Sequence, residues 1–170
     1  MKRLLSILFI TLASFVMNGQ TGSKKEELVW FTDLMKANEA ATKENKPIFA
    51  FFTGSDWCVW CRKLQQDVFA KTDFIKWAKA NVVLMELDFP RGKQQAPEVV
   101  QQNNQLQQLF GVKGYPTIWL FNMKKDDATG KYNINSLGSL GYPQGAVQGK
   151  EEVKFLEDGN LLLKQQPTGK

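Results

Sequence analysis

Two cysteines, Cys58 and Cys61, are the only thiols in this 170-residue chain. An apolar run from Ile48 to Phe52 precedes them, and a helical pattern of apolar residues follows. This order predicts a strand, a short turn and a helix that begins at the cysteines. Unpaired amides and the positive end of the helix dipole stabilise a thiolate at that position. Because the thiolate is the reactive form of cysteine, the pair is a candidate redox site.

The spacing of the two cysteines allows them to form a disulfide bond, since residues three apart share one face of a helix. Such a bond closes almost no loop, so it restrains the unfolded chain little. A pair that adds little stability favours a chemical role over a structural one. We expect Cys58, at the helix tip, to be exposed and Cys61, further along the helix, to be shielded.

The composition is that of an ordinary globular protein, with 43% apolar and 23% charged residues. The length predicts one domain with a substantial core. Without residues 1–19, which carry Lys2 and Arg3 and no acids, the net charge falls from +5 to +3. This charge is small, and no basic run with interleaved aromatics accompanies it, so nucleic acid is not an expected partner.

The amino terminus has the pattern of a secretory signal peptide. Lys2 and Arg3 are followed by a largely apolar stretch from Leu4 to Val16, which is short for a membrane span. We expect cleavage after Gly19, export to the periplasm or beyond, and no stable membrane insertion afterwards. A retained membrane anchor is the open alternative.

The remaining chain predicts a flexible lead-in over residues 20–27, one domain over 28–164 and a polar tail over 165–170. The pattern of the domain is short strand, helix, strand, long helix, strand, helix, strand, strand and helix. Helices alternating with apolar strands indicate an α/β fold with a central mixed sheet and helices on both faces. The cysteines would then lie at the carboxyl end of a central strand, where open α/β sheets place their sites.

Two segments have less regular patterns. Residues 93–105 are rich in glutamine and asparagine, and we expect a solvated loop that runs into a short helix with Leu106, Leu109 and Phe110 buried. The last helix is expected from Glu151 to Glu157, with Val153 and Phe155 inward. An interruption is expected at residues 158–160, Asp-Gly-Asn.

Three motifs together resemble the thioredoxin superfamily over roughly residues 28–163. They are Trp57-Cys58-x-x-Cys61-Arg62-Lys63, Leu87-Asp88 and Val112-x-Gly114-Tyr115-Pro116-Thr117. The longer strings Phe52-Thr53-Gly54-Ser55-Asp56-Trp57 and Asp88-Phe89-Pro90-Arg91 look more like exported bacterial Dsb-type thioredoxin-like proteins than like cytosolic thioredoxin. The resemblance implies a thioredoxin-like fold.

The resemblance also implies roles for individual residues. Cys58 would be the attacking nucleophile and Cys61 the resolving thiol. The Tyr115–Pro116 peptide bond would be cis and face the sulfurs, which exposes the backbone of Tyr115 to an extended substrate. The residues implied to bind substrate are Trp57, Val59, Trp60, Tyr115 and Pro116.

The sequence departs from thioredoxin in how Cys61 would lose its proton. The family usually has a buried Asp six residues before the first cysteine, and Phe52 stands there in this chain. Leu84 stands where a Lys of the neighbouring strand is common. With no histidine in the chain, a Cys-His pair is excluded. The candidate proton acceptors are Asp56, Glu86 and Asp88.

The resemblance predicts a cell-envelope thiol-disulfide oxidoreductase that needs no cofactor, and it favours a reductase over an oxidase. Its partners would be proteins with disulfides or thiols and a separate redox partner protein. One alternative is a non-catalytic thioredoxin-like module with an inert disulfide. Another is a zinc site, which would need carboxylates or a second chain because the sequence has no further Cys and no His.

Overall fold

The structure, a computed structural model, describes residues 27–165. The predicted signal peptide, residues 20–26 of the lead-in and residues 166–170 of the tail lie outside the described residues. A five-stranded mixed sheet forms the centre of the domain, with strand order β1-β3-β2-β4-β5. The strands are β1 (Trp30–Phe31), β2 (Ile48–Thr53), β3 (Val83–Asp88), β4 (Thr117–Lys125) and β5 (Tyr132–Leu140).

Strands β1, β3 and β2 run parallel to one another. Strand β4 pairs antiparallel with β2, and β5 pairs antiparallel with β4. Within residues 27–165, five α-helices accompany the sheet, where the sequence predicts four, because two helices replace the predicted long one. They are α1 (Leu34–Glu44), α2 (Val59–Leu64), α3 (Thr72–Asn81), α4 (Pro97–Leu109) and α5 (Glu151–Leu163). None of the helices within residues 27–165 is long and apolar enough to cross a membrane.

Strand β2 is buried along its whole length, because alternate side chains enter two separate clusters. Phe49 and Phe51 point to the cluster that also contains Cys58 and Cys61, which we call the cysteine-side cluster. The remaining apolar side chains of the strand, Ile48, Ala50 and Phe52, point to the opposite cluster, together with residues of α1 and α4. The uniformly apolar sequence of this strand reflects its cover on both faces.

The long helix predicted after the cysteines is divided into three parts. Helix α2 continues as a π-helical turn over Gln65–Phe69, and α3 starts after a break at residues 70–71. The bend expected near Lys71 is confirmed, whereas the π-helical turn was not expected. Its Phe69 packs edge-on against Phe51 at 5.1 Å and face to face with Phe74 at 4.6 Å between ring centroids, so the turn supplies a central ring of the core.

The loop over the glutamine-rich segment runs into a helix, as predicted, but the loop ends at residue 96 and the helix, at 13 residues, is not short. Helix α4 begins at Pro97, whose fixed φ suits the first turn of a helix. The amide side chains of this helix bind other elements: Asn103 Nδ2 donates to the carbonyl of Asp88 at 3.0 Å. Leu109, expected inside, is exposed, while Leu106 is buried as predicted.

The interruption predicted in the last helix is also wrong, because α5 is continuous through residues 158–160. Gly159 is buried against Trp77, where a Cβ atom would lie 3.1 Å from the indole. The next residue, Asn160, accepts a hydrogen bond from Trp77 Nε1 at 2.8 Å. These residues serve packing between α5 and α3 and do not end the helix. Val153, expected inside, is exposed, whereas Phe155 is buried as predicted.

Candidate functional site

The cysteines lie at the carboxyl end of the central strand β2, as the sequence predicts. Cys58 is the N-cap of α2, and it forms a disulfide bond with Cys61 across a Cα–Cα distance of 5.3 Å. The backbone amide of Cys61 donates to Cys58 Sγ at 3.1 Å. A first-turn amide of the helix therefore points at the sulfur of the first cysteine, where it would stabilise negative charge.

The expectation that Cys58 is exposed is wrong, since the residue is 4% exposed and Cys61 is 1% exposed. Cys58 is part of the cysteine-side cluster, and Trp57 and Tyr115 pack against that cluster. A position at the helix tip therefore does not expose a side chain that belongs to a packed apolar cluster. The exposed apolar surface of the C-x-x-C turn is instead that of Val59 and Trp60, at 65% and 53%.

Trp57, directly before the first cysteine, is fixed by four neighbours. Its indole Nε1 donates to the carbonyl of Phe89 at 2.8 Å, and its ring lies edge-on to Tyr115 at 5.8 Å. The guanidinium carbon of Arg91 lies 3.9 Å from the ring centroid, a cation–π contact. Gly54 lies so close to the ring that a Cβ there would be less than 3.0 Å from three indole atoms.

Two carboxylates tie the turn before the cysteines to the segment that follows β3. Asp88 accepts hydrogen bonds from Ser55, at 2.8 Å from the backbone amide and 2.6 Å from the hydroxyl. Asp56 accepts from the amides of Gly92 at 2.6 Å and Arg91 at 3.1 Å. These amides, Gly92 first, hold the pKa of Asp56 below its usual value.

The Tyr115–Pro116 peptide bond is cis. The Tyr115 hydroxyl accepts a hydrogen bond from Gln107 Nε2 at 2.8 Å, and the ring stacks on Phe89 at 5.2 Å. Burial raises the pKa of this hydroxyl. The backbone N–H and C=O of Tyr115 have no hydrogen-bond partner within residues 27–165. They are free to pair with an extended segment.

A second aromatic pair, which the sequence did not predict, stands at the C-x-x-C dipeptide. Tyr142, just after β5, meets Trp60 edge-on at 5.1 Å. Its hydroxyl donates to Asp67 at 2.7 Å, and Lys63 binds the same carboxylate at 2.6 Å. The Lys63 hydrogen bond, followed by that from Tyr142, lowers the pKa of Asp67. Lys63 and Asp67 are four residues apart, but only the long-range fold brings Tyr142 to Trp60 and Asp67. Spacing in the sequence therefore gives no signal for Tyr142.

The candidate proton acceptors differ in their surroundings. Asp56 and Asp88 are both engaged by backbone amides. Glu86 is in register with Phe51 on the neighbouring parallel strand, which places it on the cysteine side of the sheet. Its carboxylate makes no hydrogen bond or ion pair within the described part of the chain. Burial first, and then the charge of Asp88, raise its pKa.

The position that the resemblance assigns to a buried carboxylate is not on the cysteine side at all. Phe52 belongs to the opposite cluster, where its ring stacks on Phe89 at 6.4 Å and meets Phe110 edge-on at 6.3 Å. The neighbouring residue, Phe51, lies in the cysteine-side cluster.

Two features away from the disulfide bear on other kinds of site. Residues 27–165 contain no group of three or more Cys, His, Asp or Glu that could hold a metal ion. A cleft of about 510 Å³ is lined by residues such as Asn45 and Lys46 before β2 and Lys124 and Lys125 at the end of β4. It lies at the opposite end of the sheet from the cysteines, because β2 begins there.

A disulfide at the amino end of a helix after the central strand of this mixed sheet, together with a cis proline before β4, defines a thioredoxin-like protein. The family model described as a thioredoxin-like domain matches residues 34–135. The chain therefore belongs to the thioredoxin-like domain family.

Two curated relatives come from Chlamydia pneumoniae. The chain is 34% identical to disulfide bond reductase DsbH over 110 residues, which cover 65% of the chain and 61% of the relative. It is 24% identical to thioredoxin-related protein DsbJ over 165 residues, which cover 97% of the chain and 46% of the relative. The matches thus span about half to three fifths of the length of these relatives.

Among solved structures, a DsbH oxidoreductase superposes with a TM-score of 0.66 at 29% identity. The match covers 89% of this chain and 96% of that one. A thioredoxin from Thermus thermophilus superposes with a TM-score of 0.53 at 16% identity, covering 82% and 87% of the two chains. At that identity the second likeness concerns the fold alone.

Proposed function

We propose that this protein is a thiol-disulfide oxidoreductase that reduces disulfide bonds in other proteins. The observation that carries the proposal is the contact between the Cys61 amide and Cys58 Sγ at the start of α2. It is the arrangement that stabilises a reactive thiolate. The similarity to a relative named as a disulfide bond reductase supports the direction of electron flow.

The reaction begins with both cysteines reduced. The Cys58 thiolate attacks one sulfur of a substrate disulfide; a bond forms between Cys58 and the substrate, and the other substrate sulfur leaves as a thiolate. Cys61 then loses its proton and attacks Cys58 Sγ. This step closes the Cys58–Cys61 disulfide and releases the second substrate sulfur. Two electrons have passed to the substrate, and a separate reduced redox partner protein must return them.

We infer that Glu86 accepts the Cys61 proton, directly or through water. It lies on the cysteine side and its carboxylate has no hydrogen-bond partner within residues 27–165, whereas Asp56 and Asp88 are each held by backbone amides. A partly buried carboxyl with a raised pKa can take up a proton nearer to neutral pH than an exposed one.

The substrate segment binds in an extended conformation along Tyr115, whose free backbone groups support this role. The side chains assigned to the walls of the groove are Trp57, Val59, Trp60, Tyr115 and Pro116. Their mixture of buried and exposed apolar surface around the disulfide supports the assignment.

The protein acts outside the cytoplasm. The basic start and short apolar stretch of residues 2–16 support export, and the presence of only two cysteines, both in the redox pair, fits a protein that works on the disulfides of others.

The proposal is tested by the reduction potential of the pair, measured in glutathione buffers, together with turnover of a disulfide-containing protein. A reductase should have a potential near that of thioredoxin, about −270 mV, and turnover should be lost in Cys58→Ser. A potential near about −120 mV would indicate an oxidase. Turnover that survives Cys58→Ser would contradict the catalytic role of the cysteine pair, and a wild-type protein without turnover would favour the non-catalytic module.

A further inference from the structure

Arg91 is held at the edge of the redox site by two independent sets of contacts. Its guanidinium lies 3.9 Å from the centroid of the Trp57 ring, and Trp57 directly precedes Cys58. Its backbone amide donates to Asp56 at 3.1 Å, beside the 2.6 Å bond from Gly92 to the same carboxylate. Both the backbone and the charged end of this residue are therefore positioned relative to the cysteines.

No carboxylate in the described part of the protein pairs with the Arg91 guanidinium. The side chain is exposed, and it makes no hydrogen bond or ion pair with any residue in the range 27–165. Asp56, the acid that touches the same segment, is occupied by backbone amides. The cation–π contact with the indole leaves the five N–H donors of the guanidinium without a hydrogen-bond acceptor in this range.

An oriented, unpaired guanidinium is suited to one kind of ligand. A carboxylate can accept two parallel hydrogen bonds from a guanidinium, which gives both affinity and fixed geometry. The exposed Lys93, two residues further on, adds to the positive field of this segment. The segment 91–93 thus presents a basic edge next to the groove assigned to the substrate.

We propose that Arg91 binds the carboxylate of an Asp or Glu side chain in the substrate, close to the cysteine that Cys58 attacks. The protein would then prefer disulfides in acidic, extended segments. This inference rests on the proposed function, because it places the acidic residue within a bound substrate, and it adds a specificity that the groove residues alone do not give.

The test uses peptides with one internal disulfide, acetylated and amidated at their ends so that no terminal carboxylate competes. Each carries Glu at one of the three positions on either side of a cysteine, and its matched peptide carries Gln. At least one Glu peptide should be reduced with a kcat/KM about tenfold higher than its Gln partner at low salt, and the advantage should shrink at high salt.

Substitutions of Arg91 distinguish paired hydrogen bonds from its guanidinium from the effect of positive charge alone. Arg91→Gln should abolish the preference for Glu while the Gln peptide is still reduced, and Arg91→Lys should lose most of it. Lys93→Gln, the matched control on the same segment, should keep it. The inference is overturned if wild type shows no preference, if Arg91→Gln keeps it, if Lys93→Gln abolishes it equally, or if Arg91→Gln slows both peptides alike.

A measurement without turnover separates this inference from the proposed function. The same peptides with serine in place of both cysteines are titrated against the intact protein while the Arg91 Nε–H resonance is followed by NMR. A shift with the Glu peptide that the Gln peptide does not cause supports the carboxylate site even if no peptide is reduced. Equal or absent shifts contradict the site even if reduction is fast.

Discussion

Gly54 and Trp57 approach so closely that a Cβ on Gly54 would lie less than 3.0 Å from three atoms of the indole. The absence of a side chain at position 54 lets the ring lie against the turn that leaves β2. There the indole Nε1 reaches the carbonyl of Phe89, and the ring meets Arg91 and Tyr115. The residue directly before Cys58 is thereby fixed on several sides.

Gly54→Ala should therefore displace Trp57 and destabilise the protein by about 1–3 kcal/mol, as overpacking does. Thermal or denaturant unfolding measures the loss, and reduction of a disulfide substrate should slow as well. Gly114→Ala is the control for stability, because a Cβ there meets nothing within 4 Å. An unfolding free energy equal to that of wild type in Gly54→Ala would show that the turn adapts without moving the ring.

Tyr142→Phe removes the hydroxyl that donates to Asp67 at 2.7 Å while it keeps the ring against Trp60. We expect a loss of about 0.5–1.5 kcal/mol in unfolding free energy, the usual net value of one hydrogen bond. Substrate reduction should change little, whereas Tyr142→Ala should also raise KM because Trp60 loses its ring partner. A raised KM in Tyr142→Phe would mean that the hydroxyl itself contacts substrate.

Glu86→Gln should change how stability depends on pH. The pKa of Glu86 is raised in the folded state, mainly by burial, so the folded protein holds this proton to higher pH than the unfolded chain does. Stability contributed by the protonated form is complete below pH about 4.3, the value of an unperturbed Glu, and is lost as the pH rises through the folded pKa. Glu86→Gln should thus be more stable than wild type at neutral pH, with the difference disappearing in acid.

Urea unfolding from pH 3 to pH 8 measures this dependence, and Glu39→Gln, at an exposed position of α1, is the matched control. A stability difference for Glu86→Gln that does not change with pH would contradict the assignment of a partly buried carboxyl with a raised pKa. In the same variant, release of the mixed disulfide by Cys61 should slow near neutral pH. Unchanged release would remove Glu86 as the proton acceptor.

The order of strands and helices could be predicted because each element has a clear local pattern. The uniformly apolar Ile48 to Phe52 indicates a strand covered on both faces, and the polar residues between elements mark the turns. The C-x-x-C site could be located from the same patterns, since it follows the central strand and starts a helix. These features depend on neighbours in sequence.

The features that could not be predicted depend on contacts between distant segments. Gly159 is predicted to interrupt the last helix, yet it lies inside α5, where it packs against Trp77. The amides of residues 93–105 are predicted to be solvated, yet Asn103 Nδ2 donates to the carbonyl of Asp88. Cys58 is predicted to be exposed, yet it is buried in a cluster against which Trp57 and Tyr115 pack. In each case the partner is unknown until the chain is folded.

The central claim is that Cys58 attacks and Cys61 resolves, and its most direct test is a trapping experiment. Reduced Cys61→Ala is mixed with a disulfide-containing protein, and the products are identified by mass spectrometry without reducing agent. The account predicts a covalent adduct on Cys58 that a small thiol releases, and none in Cys58→Ala, whose remaining thiol is buried. No adduct in Cys61→Ala, or an adduct on Cys61 in Cys58→Ala, would contradict it.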